Sequence, residues 1–191
     1  MREDRKPEPL SFSRLQEERG RALSEAPAQK QLFVYLLLIV CAVVLLAHLP
    51  ALSSQALLYD DQYYVTENLL VQNPSWPSAR QFFVEVWRPS TVPGYYHPLT
   101  MVSLMVDRFL AGPHQSMGAY HRTSLLLHVA NTLLLAVFTY LLFPRPFVAG
   151  AVALLFGLHP ITVDSICWLS ERKTVLASFF ALLGPILSLK F

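Results

Sequence analysis

Charge is scarce in this sequence: Asp, Glu, Lys and Arg make up 15% of its 191 residues, whereas hydrophobic residues make up 53%. That balance argues against an ordinary solvated globular domain and for the membrane class. A net charge of +2 supplies no basic stripe to track a phosphate backbone, so nucleic-acid binding is excluded. Cysteine is nearly lacking. With Cys41 and Cys167 alone there is no disulfide framework and no CxxC or Cys/His spacing for zinc. Nor is there an internal repeat, or a low-complexity tract outside the apolar runs.

What the sequence does have is apolar length. Residues 1–30 mix both charge signs with Pro7, Pro9 and Pro27 and show no sustained apolar period, which predicts a flexible tail. "LFVYLLLIVCAVVLLAHL" then gives the first expected span, near 32–50. The long preceding tail and the poor "SQA" cleavage signal favour an uncleaved anchor over a signal peptide. Further spans are expected near 119–143, 147–169 and 174–190, with "FPRP" turning the second into the third. The third is odd, because "FVAGAVALLFGL" covers roughly 18 Å as a helix and cannot cross the hydrocarbon alone. Pro185 should kink the fourth, and the ending at Phe191 reads as truncation. The predicted fold is therefore all-α and polytopic, with residues 31–191 as one partial transmembrane domain.

Orientation follows from Lys and Arg: seven in the tail, against Arg80, Arg88 and Arg108 in 51–118. The N-terminus is expected in the cytoplasm, with loop 51–118 and the 159–173 connection outside and Arg145 and Lys190 inside. Within the loop, "ARQFFVEVW" and "PLTMVSLMVDRFLAG" have the pattern of helices lying along the membrane, and Trp76, Trp87, Tyr95 and Tyr96 suit an interfacial belt.

The polar residues of these outer segments are the candidates for chemistry. Asp60 and Asp61, just past the first span, suit a general base of raised pKa, or equally a helix cap and a solvated neighbour. His159 ends the short third run, and if Ile161 to Lys173 were helical, Asp164, Trp168 and Glu171 would share a face. Arg172 and Lys173 fall on the side where basic residues are uncommon, which a lipid-linked phosphate or a phospholipid headgroup would explain. His128 and Asn131, within the second span, fit interhelical hydrogen bonds. His97 is open between roles. Asp60, Asp61, His97, His159 and Asp164 together would have the oxygen-rich character that Mg²⁺ or Mn²⁺ takes, if they converged.

In order along the chain, "YDDQYYVTEN", "YYHPLTMVSL", "HVANTLLL" and "FGLHPITVDSICWLSERKTVLA" resemble the N-terminal membrane region of the tetratricopeptide-repeat glycosyltransferases of the GT-C class. That class includes transmembrane O-mannosyltransferases and bacterial relatives. The resemblance covers residues 32–189 and implies a sugar donor on polyprenyl or dolichyl phosphate, an acceptor such as a protein hydroxyl, and inverting direct displacement. It implies that Asp60 or Asp61 handles the acceptor hydroxyl; chemistry and placement put Arg172 and Lys173 on the phosphate, with His97, His159, Asp164 and Glu171 as supporting residues. Some members use a metal and others do not, and Asp164 stands where relatives commonly have Glu. The block from His159 to Lys173 is closer to the bacterial forms, implying an inner membrane rather than the endoplasmic reticulum. Because the class has more spans and a repeat domain, the 191 residues are expected to be inactive by themselves. A nonenzymatic scaffold or lipid-binding subunit is the rival reading, and a transporter a third.

Overall fold

The computed structural model describes residues 12–55, 60–87, 90–112 and 117–189, and the side chains of all of these but 12–26 and 87. Among them every regular element is helical. Of the charges used for orientation, Arg2, Arg5, Lys6, Arg88 and Lys190 lie outside the described residues, as does the side chain of Trp87.

Helix α1 runs from Phe12 to His48, and a 3-10 turn, Leu49–Ser53, continues it. The flexible tail expected over residues 1–30 is thus corrected from residue 12 onward. Its "LQEERGRALSEA" is rich in Leu, Gln, Glu, Arg and Ala, all good helix formers, whose combined propensity outweighs the lack of an apolar face. Pro27 stands where the apolar stretch, Pro27–Ser53, begins. A second long helix, α5, spans Met117–Leu142.

Those two helices are long and apolar enough to cross a membrane. Only 17% and 28% of their most apolar windows are buried in the protein, far too little for core helices of a soluble domain. Leu38, Ile39 and Leu46 face outward, as hydrocarbon would allow.

The returning chain is broken. Helix α6, Pro146–Gly157, packs against α1 and α5. It is followed by a non-helical stretch, α7 (Thr162–Cys167), a 3-10 turn (Leu169–Glu171) and α8 (Arg172–Ser188), which packs along α5. Two sequence expectations therefore change. Residues 147–169 are not one span, and Ile161 to Lys173 is not one helix, so Asp164, Trp168 and Glu171 share no helical face. Pro160 cannot donate to a helical ladder, and Trp168 takes extended backbone, φ −98° and ψ 112°.

Helix α5 satisfies carbonyls of the returning chain from one side, two of them, Gly157 O and Ile166 O, freed at the breaks. His128 Nε2 donates to Gly157 O (3.0 Å), His121 Nδ1 to Ile166 O (3.1 Å), and Asn131 Nδ2 to Val175 O (2.9 Å). All three side chains are buried. Without water at hand, such bonds are what permit an interrupted helix inside apolar surroundings. Close packing does the rest: Ala136, Ala149 and Ala153 are fully buried where α1, α5 and α6 meet, and Phe33 stacks on Tyr140.

The loop after α1 is compact. A π-helical turn (Gln62–Thr66), α2 (Leu69–Gln72), α3 (Trp76–Val84) and α4 (Pro98–Ala111) enclose their own core of Tyr64, Val65, Val71, Phe82, Leu104 and Leu169. Asn68 and Ser75 cap α2 and α3 by accepting from the N–H groups of Val71 and Ser78. Leu169 joins this core from the other end of the chain, placing the two polar segments side by side.

Candidate active site where the loop meets the broken helix

The join is made by Asp61. Its side chain is fully buried, and Oδ1 accepts the backbone N–H of Ser170 at 2.9 Å, across 109 residues of sequence. Both Asp61 and the Ser170 N–H are held by short helical turns, so the bond fixes the π-helical turn against the 3-10 turn ahead of α8.

Asp60 is placed differently. It is half-buried and lines a cavity of about 180 Å³ with Tyr63, Tyr64, Val92, Pro93 and Tyr95. On the wall of that cavity, Tyr64 Oη lies 3.0 Å from His97 Nε2. Burial, with help from Asp60, pushes the Tyr64 phenol up to about 12. The two share one hydrogen bond, in which the phenol donates when Nε2 is bare and accepts when Nε2 carries the proton. Burial likewise lowers the His97 pKa, and neighbouring Lys173 adds to the shift.

Lys173 is the cation of this group. Its ammonium sits 5.7 Å from the Tyr64 ring centroid and 5.8 Å from that of Tyr95, and it pairs with Glu171 at 2.8 Å. Burial raises the Glu171 pKa, but hydrogen bonds from Lys173 and Thr174 outweigh it and hold the carboxyl below the usual range. Aromatic faces and a carboxylate thus hold an ammonium that is still about a third exposed.

Arg172, its neighbour, turns inward and is fully buried. It forms an ion pair with Asp107 (2.8 Å) and donates to Ser124 Oγ, Ser103 Oγ and Tyr120 O. Burial raises the Asp107 pKa and lowers that of Arg172, and each partner's charge opposes the shift. Thr123 Oγ1 adds a 2.6 Å bond to Asp107. This pair ties α4, α5 and the start of α8 together.

Of the residues singled out in sequence, Asp60, Asp61, His97, Glu171 and Lys173 come to one end of the helices. His159 and Asp164 stay exposed, the one accepting the Ile161 N–H and the other in the first turn of α7. Among the described residues no three His, Cys, Asp or Glu side chains gather as a metal-ligand set, so the five candidates do not converge on one site. Tyr64, Tyr95 and Asp107 were missed as partners. A tyrosine three residues after the second aspartate, and a single acidic residue on α4, were the available signals. Comparison of the chain with protein-family models, curated proteins and solved structures returned no match.

Proposed function

We propose that this protein is a membrane glycosyltransferase of GT-C type, moving a sugar from a polyprenyl or dolichyl phosphate to an acceptor hydroxyl on the side opposite its basic tail. The observation that carries the reading is one juxtaposition. A carboxylate-lined cavity at Asp60 shares its walls, Tyr64 and Tyr95, with the cation Lys173. Direct displacement needs a base for the acceptor proton and a positive charge for the departing phosphate, within one small site.

In this reading Asp60 takes the proton as the acceptor oxygen bonds to the anomeric carbon. The bond from that carbon to the phosphate oxygen breaks with both electrons, and the lipid phosphate leaves against Lys173. Asp61 is a positioning residue, holding the two halves of the site together through Ser170. Arg172 acts in the same way, by anchoring α8 so that Lys173 projects at the rings; its donors are already taken by Asp107, Ser103, Ser124 and Tyr120. The compartment that goes with this reading is the bacterial inner membrane, with a protein hydroxyl as acceptor.

Binding of a polyprenyl phosphate in detergent micelles, read by native mass spectrometry, tests the phosphate role. Lys173→Gln should weaken it on the order of tenfold or more, the scale of one charge-assisted contact. Unchanged binding would remove Lys173 from the donor site.

The scaffold reading keeps one specific support: the Asp61 bond to Ser170 is structural in kind. A scaffold catalyses nothing and needs nothing from Asp60, so it predicts no transfer by the unaltered protein and no change in lipid binding with Asp60→Asn.

A further inference from the structure

A larger cavity, about 340 Å³, lies between α3 and α4 and is lined by Trp76, Ala79, Val102, Met105, Val106 and Phe109, among others. The one hydroxyl on its wall, that of Ser75, is engaged by the N–H and the hydroxyl of Ser78. The rim is apolar as well: Trp76 is 83% exposed and Phe109 72%. We infer that this groove holds an acyl chain of a bilayer phospholipid, seating the α3–α4 pair in the membrane surface.

The lining chooses the occupant. A peptide segment in the groove would bring backbone N–H and C=O groups to walls that offer no partner for them, a cost of a few kcal/mol for each buried group. A hydrocarbon chain brings none. Position gives the source: α4 packs directly against α5, one of the two helices with membrane-crossing length, so the groove stands beside the region where acyl chains are concentrated. An indole at the rim, apolar in body with one N–H, suits the level of the headgroups. The inference is independent of the proposed chemistry at Asp60.

Photocrosslinking tests it. The full chain in nanodiscs of phosphatidylcholine bearing a diazirine on one acyl chain would be irradiated, and adducts mapped by peptide mass spectrometry. Adducts are expected on Val102, Met105, Val106 or Phe109 as well as on the outward α1 residues Leu38 and Leu46, which serve as the insertion control. Ala79→Phe fills the groove and should cut the α4 adducts on the order of tenfold while leaving those on α1. If that variant also loses the α1 adducts it has not folded, and Val102→Phe, which fills the groove from the other wall, takes its place. Labelled α1 with unlabelled α4 would overturn the inference. So would α4 labelling that persists in the filled variant, or labelling obtained only with an isoprenoid-chain probe.

Discussion

At the scale of single residues, the adjacent aspartates separate into two roles because one faces a cavity and the other a backbone N–H. Asp61→Ala leaves the Ser170 N–H buried without its acceptor, and thermal unfolding in detergent should register a loss of about 1–3 kcal/mol. Asp61→Asn keeps an acceptor oxygen and should cost about 1 kcal/mol. Equal stability of all three proteins would contradict the clamp. His97 supplies a pH dependence. Its pKa is lowered on folding, so the neutral form is the one the fold favours. The stability it contributes is present above the unfolded value of about 6.5 and is lost as pH falls through the lower native one. A melting-temperature profile should therefore hold from pH 7.5 to about 6.5 and decline below it, with the decline flattened in His97→Gln. A profile indifferent to that substitution would show the histidine to be uninvolved.

At the scale of elements, the broken return of the chain from α6 to α8 is held by buried polar contacts with α5 and α4. Arg172→Met strands the Asp107 carboxylate in the interior and should cost about 3–5 kcal/mol, whereas the double change with Asp107→Leu should recover most of that. Failure of the double variant to recover would mean that the pair stabilises through something other than charge. Packing gives a second test at Gly157, where an added methyl would stand 2.5 Å from Val44 Cγ2 and 3.1 Å from Thr132 Cγ2. Gly157→Ala should destabilise the α1–α5–α6 contact by about 1–3 kcal/mol. These elements also mark what could be read from sequence. The apolar lengths of α1 and α5 and the shortness of α6 were legible, since hydrocarbon length leaves a direct trace in composition. The polar stripe on α5 was legible only in part. His128 and Asn131 stood out in an apolar run, but His121 lay near its polar start, and the carbonyl it meets, Ile166 O, depends on a break that Trp168 makes without any proline or glycine at hand. Nothing near Arg172 marked it as inward-facing; side by side, Arg172 and Lys173 look alike, and only the Asp107 carboxylate, 65 residues upstream, separates them.

At the scale of the whole molecule, Asp60 and Lys173 lie far apart in sequence and come to the same pair of tyrosines, Tyr64 and Tyr95, at an end of the long helices that the proposed function needs outside the cytoplasm. Cysteine scanning checks that sidedness. With Cys41 and Cys167 replaced, a membrane-impermeant thiol reagent added to intact cells should label Tyr96→Cys, and label Ser13→Cys only after permeabilisation. The reverse pattern would put the site in the cytoplasm, away from any extracytoplasmic acceptor. The meeting of the segments was the part that sequence could only anticipate, since shared sidedness does not dictate contact; the Asp61 bond to Ser170 supplies it. The most direct test of the account is sugar transfer itself, in membranes containing the protein as its host makes it, with polyprenyl phosphate sugars labelled in the sugar as donors. The account predicts transfer that Asp60→Asn reduces by about 10²-fold or more, the contribution of a general base, with melting temperature unchanged. Transfer that survives Asp60→Asn undiminished would contradict it.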